Sequence, residues 1–156
     1  MTGKEAGSKN WIRIRDAKPG DVDALYNLDV RSFSLPWTRD DFEHDLTDNI
    51  LSIYLLAETC DAIIAYAGVW VVIDECHIMT FAVDPGWRRQ GVATMIMLQL
   101  LARARLAGAK QFTLEVRKSN EAAIGLYEKF GFETIGVRPE YYEDNKEDAS
   151  IMWKYD

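Results

Sequence analysis

VDPGWRRQGVAT, residues Val83 to Thr94, separates an apolar run that reads as a strand, HIMTFAV (77–83), from MIMLQLLARARLAG (95–108), which reads as a helix closed by glycine. Between them stand a proline, two glycines, two arginines and a glutamine, and little of this packs a core. A strand, a glycine-containing turn and a helix N-terminus form a ready anion site. The first N–H groups of the helix lack partners, and the macrodipole adds about half a positive charge there. Gly91 and Ala93 are small enough to let a pyrophosphate reach those amides, with Arg88 and Arg89 adding charge beside it. Taken alone, the stretch reads either as this cradle or as a tight turn capped by glycine. It is neither a GxxxxGK[ST] loop nor a GxGxxG fingerprint.

Outward from the junction the elements alternate. WIRIRDA (11–17) has the two-residue alternation of a half-buried first strand. Pro19-Gly20-Asp21 opens a helix with Val22, Leu25 and Leu28 on one side, and Leu35-Pro36-Trp37 breaks it. Thr38 caps a second short helix, RDDFEHDL. The apolar runs 50–58 and 62–72 flank the link Thr59-Cys60-Asp61 as a hairpin, and a turn at Ile73-Asp74-Glu75 leads to the strand ending at Val83. Beyond the helix 91–107, KQFTLEV (110–116) turns Phe112, Leu114 and Val116 to one face and Gln111, Thr113 and Glu115 to the other. Asn120 is a good N-cap for EAAIGLYEKF, and Gly131 is a natural stop. Phe132–Val137 and Ala149–Tyr155 close the chain as a strand pair around an acidic loop, YYEDNKED. The order β-α-α-β-β-β-α-β-α-β-β implies a mixed sheet of seven strands with four helices on its faces. No linker divides it, so residues 11–156 read as one domain after a loose tail over residues 1–10.

With 156 residues the chain can bury about 68–70% of its unfolded surface. A net charge of −7 argues against broad nucleic-acid or anionic-membrane binding, since both need a basic face. Cys60 and Cys76 have no ligand-like spacing, and His44 and His77 have no metal-like companions, so no metal site is expected and both histidines read as structural. The polar start MTGKEAGSKN has no apolar leader core, and no run approaches the length of a membrane span, so the expectation is a soluble cytoplasmic protein.

Arg88-Arg89-Gln90-Gly91-Val92-Ala93 resembles the Q/R-x-x-G-x-G/A motif of the GNAT acyltransferases. Together with LEVRKSNEAAIGLYEKFGF and EYYEDNKEDASIMW, the likeness covers nearly the whole chain and points to the bacterial ribosomal-protein-alanine N-acetyltransferases, the RimI type. The last motif glycine is Ala93, which the motif tolerates. The resemblance implies a GNAT fold, a central mixed, mostly antiparallel sheet, with acetyl-CoA as co-substrate. It places pantetheine against Phe81, Ala82 and Val83, the pyrophosphate on Arg88, Arg89, Gln90, Gly91, Val92, Ala93 and Thr94, and a further cofactor contact at Asn120. It makes Glu115 the general base and Tyr127 the general acid. Leu35 and Trp37 (in SLPWT) and the pair Tyr141-Tyr142 would frame the peptide. The substrate implied is a protein N-terminus, the alanine of small-subunit ribosomal protein eighteen, with no direct nucleic-acid or membrane partner.

Read without the resemblance, Glu115 suits a surface glutamate or a partner of Arg117, and Tyr127 a packing residue. As a base, an ordinary glutamate near 4.3 is weak, so burial must raise it or water must relay the proton. As an acid, a phenol near 10 gives its proton to a thiolate near 8.5 uphill by roughly 2 kcal/mol. Backbone N–H groups near Ala82 would polarise the thioester carbonyl. Neither cysteine lies where a nucleophile belongs, so direct attack in a ternary complex is expected. The acidic EDNKED run reads either as a solvated charge run or as an attraction for a basic substrate tail. The alternatives are another GNAT activity, on broader N-termini, lysines or small amines, and a module that binds acetyl-CoA without transfer.

Overall fold

The computed structural model describes residues 11–156, so the expected tail over residues 1–10 lies outside the described residues. Strands β1 (Arg13–Asp16), β2 (Ser52–Glu58), β3 (Ile63–Val72), β4 (Glu75–Val83), β5 (Gln111–Arg117), β6 (Glu133–Arg138) and β7 (Ala149–Tyr155) form one sheet. Helices α1 (Val22–Ser32), α2 (Arg39–Thr47), α3 (Val92–Leu106) and α4 (Glu121–Lys129) cover it in the expected order. Pro19-Gly20-Asp21 forms a 3-10 turn ahead of α1 rather than its first turn. The caps behave as local chemistry requires. Thr38 Oγ1 accepts from the Asp41 amide at 3.1 Å, Asn120 Oδ1 accepts from Ala123 at 3.2 Å, and Gly131 stops α4 at φ +95°.

Strand order is β1-β2-β3-β4-β5-β7-β6. Every neighbouring pair is antiparallel except β4–β5. That parallel ladder is short, running Glu75↔Gln111, Cys76↔Phe112 and His77↔Thr113, and then stops. Both strands continue past it, β4 to Val83 and β5 to Arg117, so the sheet opens into a wedge.

A bulge in β4 helps to set this shape. Gly68 faces Thr80 and Val69 faces Ile78, leaving Met79 as the extra residue. Strict alternation would turn Cys76, Ile78, Thr80 and Ala82 to one face. Instead Cys76 and Ile78 pack with the α3–α4 core, while Ala82 packs with Leu25, Leu28 and Phe42 beneath α1 and α2. The bulge reverses the strand's facing and bends its outer half.

Each face has its own core. Ile96, Met97, Leu100 and Ala104 of α3 are fully buried against Leu55, Ala67, Val69 and Leu114. On the other face two buried carboxylates tie helices to the sheet. Asp29 of α1 accepts from the Tyr66 hydroxyl and, at 2.8 Å, from the Trp37 amide. Asp45 of α2 accepts from Tyr54 at 2.6 Å and from the Trp70 indole at 3.0 Å. Among the described residues no buried polar side-chain atom lacks a partner, as a well-specified core demands.

Candidate active site at the open wedge

One side of the wedge is an anion seat. Gly91, at φ +82°, caps α3 without a side-chain hydrogen bond, and the helix makes its first backbone bond from Met95 to Gly91 at 3.1 Å. The amides from Arg88 through Thr94 donate to no protein acceptor among the described residues. A Cβ built at Gly91 would touch nothing of the protein. Internal packing therefore does not require glycine there; the positive φ and open space for a ligand do. Arg89 also adopts a left-handed conformation, φ +63°, a strain commonly held at binding loops. Arg88 and Arg89 are exposed, and neither pairs with a carboxylate among the described residues. Asp84, the nearby acid, accepts from Gly86 at 2.9 Å and pairs with Arg31 at 2.7 Å, and these contacts hold its carboxyl low.

The edge of β4 adjoins this seat. Asp84 N–H donates to Ile64 C=O at 2.8 Å, continuing the register Val83↔Ala65, Ala82↔Tyr66. Antiparallel pairs alternate, so Ala82 commits its amide and carbonyl to Tyr66 while Phe81 and Val83 direct theirs into the wedge. The Arg88 Nε bond to the Val83 carbonyl, at 3.3 Å, confirms that outward direction. The amides available to a carbonyl are therefore those flanking Ala82, not its own.

Glu115 lies across the wedge on β5, on the face away from Phe112, Leu114 and Val116. Its Oε1 is 2.8 Å from His77 Nε2, and its Oε2 accepts from Arg138 Nε at 3.3 Å. The His77 hydrogen bond, outweighing desolvation and aided by Arg138, holds the carboxyl below its ordinary value. Of the two routes expected for a Glu115 base, burial raising its value or water relaying the proton, the first runs against this lowered value. His77, read from the sequence as structural, is the hydrogen-bond partner of the candidate residue Glu115. Only the short parallel ladder brings these residues together, across 38 positions. The one local signal was alternation, which gives His77 the face opposite Cys76. His44, by contrast, is an exposed helix residue 3.8 Å from Asp48.

Tyr127 reaches the wedge from the other face. Its ring is buried edge-on to Phe81, with centroids 6.5 Å apart, and lies against Phe132 at 5.7 Å. Burial, with Tyr142 nearby, pushes its phenol above the ordinary value, which makes proton release harder than the sequence suggested. Its hydroxyl has no protein partner among the described residues and is not sealed away. Among the described residues no hydrogen bond joins Glu115 to Tyr127. Tyr142 lies near both, its phenol pushed up to about 12 chiefly by burial, with Glu115 among the smaller causes. Asn120 uses its Oδ1 as the α4 cap, which leaves Nδ2 free for a ligand. Cys76 is buried with its thiol pushed up to about 12, and Cys60 is exposed on the β2–β3 turn.

Two segments wall the Glu115 side. Leu35 is 53% exposed. Trp37 instead packs on Phe42, with centroids 5.5 Å apart, so its indole serves hydrophobic closure. Opposite, Tyr142 lies 3.9 Å beneath the Arg117 guanidinium and edge-on to the half-exposed Tyr141 at 5.0 Å. Arg117 also holds Asp144 at 2.8 Å and Glu147 at 3.2 Å. Ser34 Oγ donates to Asp144, joining the two walls. The Glu140 amide donates to Asp148 Oδ1 at 2.9 Å. Asp144, Glu147 and Asp148 of the acidic run thus fasten this loop to Arg117, to Ser34 and to itself.

A sequence model described as the acetyltransferase (GNAT) family matches residues 22–132. A Bacillus subtilis (strain 168) protein, provisionally assigned as a ribosomal protein bS18-alanine N-acetyltransferase, is 38% identical over 145 residues, covering 93% of this chain and 96% of that protein. The ribosomal protein bS18-alanine N-acetyltransferase of Escherichia coli K12 is 35% identical over 141 residues, 89% of this chain and 94% of that one. The crystal structure of the ribosomal-protein-S18-alanine N-acetyltransferase from Escherichia coli superimposes with a TM-score of 0.85 at 31% identity, covering 93% of this chain and 94% of that chain.

Proposed function

The chain belongs to the GNAT acetyltransferase family and is an acetyl-CoA-dependent N-acetyltransferase, and from that premise we propose that it acetylates the α-amine of a protein N-terminus, the alanine of ribosomal protein bS18. The observation that carries this reading is the wedge, with amides and two arginines that have, among the described residues, no acceptor and no carboxylate partner respectively at one end and an ionised Glu115 at the other.

The pyrophosphate of acetyl-CoA takes the amides of Arg88 to Thr94, with charge from Arg88 and Arg89 and a further contact from Asn120 Nδ2. Pantetheine lies along β4 and bonds the outward groups of Phe81 and Val83, displacing Arg88 from the Val83 carbonyl. An outward amide beside Ala82 polarises the thioester carbonyl, and a donor aimed where charge develops acts strongly in a site closed to water. Glu115 marks the acceptor end as its anionic group, and Tyr127 supplies a proton to the departing thiolate. The buried Cys76 thiol, titrating near 12, is no nucleophile at neutral pH, which favours direct attack by the amine. Leu35 and Tyr141 contact the peptide, and Tyr142 backs them.

An α-amine near 8 is about a tenth neutral at pH 7, whereas a lysine near 10.4 is neutral in only about one molecule per few thousand. A site with one weak carboxylate fits the former, in keeping with the activity named for the relatives above. The test is intact-mass analysis of two peptides with enzyme and acetyl-CoA. One has a free alanine terminus; the other has that terminus blocked and a lysine exposed. One acetyl group on the first peptide alone is expected. A gain on the second alone, or on neither, overturns the proposed substrate.

A further inference from the structure

Resting on the acceptor site proposed above, we infer that His77 Nδ1 takes the proton from the attacking amine, and that Glu115 positions and charges His77 instead of serving as the base. An ionised carboxylate only accepts hydrogen bonds, so the 2.8 Å contact requires the hydrogen on Nε2. A neutral imidazole carries one N–H, which leaves the lone pair on Nδ1. That atom has no partner among the described residues, and the His77 side chain is 34% exposed against 12% for Glu115. Both Glu115 oxygens are already occupied, by His77 and Arg138.

A carboxylate held low is too weak a base for an ammonium near 8, whereas His77 Nδ1 is an unshared acceptor on the more exposed side chain of the pair. The arrangement follows the logic of a carboxylate that fixes the tautomer of a catalytic imidazole and stabilises its cation. The groups around His77 suit this. Thr113 of β5 and Trp70 of β3 stand opposite it in register and are uncharged. Glu115 is its charged partner, and Arg138 of β6 acts on it through Glu115. Tyr141 and Tyr142 of the loop both feel the Glu115 charge, and their phenols are raised. Glu75 shares its strand face.

The step balances. The ammonium gives one proton to Nδ1, and the freed nitrogen lone pair attacks the thioester carbon. The C–N bond forms and the C–S bond breaks. The second proton of that nitrogen goes to the thiolate through the Tyr127 hydroxyl, and the imidazolium returns its proton to solvent.

The test follows coenzyme A release against pH for His77→Gln and Glu115→Gln, with whichever amine the wild type accepts. His77→Gln should lower kcat/KM at least about tenfold at about pH 7 and recover to within about twofold by about pH 9.5, where the amine is neutral unaided. Its acetyl-CoA Kd should be unchanged, and free imidazole should restore part of the rate of His77→Ala. Glu115→Gln should move the acidic limb to lower pH, because the imidazolium loses its counter-charge. If His77→Gln stays within about twofold at neutral pH while Glu115→Gln abolishes the limb, the carboxylate is the base and the inference fails. A second readout needs no turnover. The chain has two histidines, so the ¹⁵N spectrum of the His77→Gln variant identifies the His77 signals of the wild type. An Nε2–H tautomer at about pH 8 is expected, and an Nδ1–H tautomer overturns the inference. Refusal of the alanine peptide would fail the proposed substrate and leave both readouts interpretable.

Discussion

Gly91 and Tyr66 illustrate opposite demands on single residues. At Gly91 the backbone is left-handed and its surroundings are open. Gly91→Ala should cost about 1–2 kcal/mol of stability from the αL strain alone. Gly91→Glu puts a carboxylate where the phosphates belong and should weaken acetyl-CoA at least about a hundredfold, or about 2.7 kcal/mol, by titration calorimetry. Unchanged affinity would remove this loop from the cofactor site. Tyr66 is fully buried and donates to Asp29, whose carboxyl burial raises and Tyr66 draws back down. Tyr66→Phe leaves an acceptor short of its donor, a loss of about 1–3 kcal/mol. An acid with a raised folded value is better tolerated when neutral, so its contribution is largest at low pH and is lost as pH rises through the folded value. The Tyr66→Phe deficit in denaturant melts should therefore be larger at about pH 7 than at about pH 4.5. A deficit independent of pH would separate Tyr66 from the charge of Asp29.

The elements matter through how they part and how they are tied. A regular β4 would keep one face to one core throughout its length. The Met79 bulge lets the strand serve both cores, with the Phe81 and Val83 side chains packed on the α3–α4 core and their outward backbone groups turned into the wedge. Most element types and caps were legible locally, because Thr38, Asn120 and Gly131 act on neighbouring amides and dihedrals. The placement of β7 between β5 and β6 was not legible, since two closing strands read as a hairpin whichever of them joins the sheet. The bulge was equally hidden, because TFAV shows no glycine or other local mark of an extra residue. Between the walls of the site, Asp144 links Arg117 of β5 to Ser34 beyond α1. Its carboxyl is held low, by Ser34 first and then Arg117, so the clasp persists at neutral pH and is lost only as pH falls through that lowered value. Asp144→Ala should raise the peptide KM about two- to tenfold, the span of one lost hydrogen bond, with acetyl-CoA Kd and kcat nearly unchanged. A fall in kcat at constant KM would assign the loop to chemistry instead.

At the scale of the molecule, the cofactor end of the site was more legible than the acceptor end. Arg88 to Thr94 are contiguous, so their motif survives in one dimension. The pairing of His77 with Glu115 exists only through a parallel ladder of three residue pairs, and no spacing along the chain announces it. Charge was legible as a total of −7, but its deployment was not, since Asp144 and Glu147 are bound to Arg117 of β5 and Asp148 to the Glu140 amide of its own loop. The central claim is a wedge that presents a thioester to an α-amine. The most direct measurement is acetylation of intact ribosomal protein bS18 bearing a free alanine terminus, a molecule that offers both kinds of amine at once. Mass analysis with fragmentation should find a single acetyl group on the terminal nitrogen and none on lysine. Acetylation of lysines with the terminus left free, or no acetylation while acetyl-CoA still binds, would contradict the account.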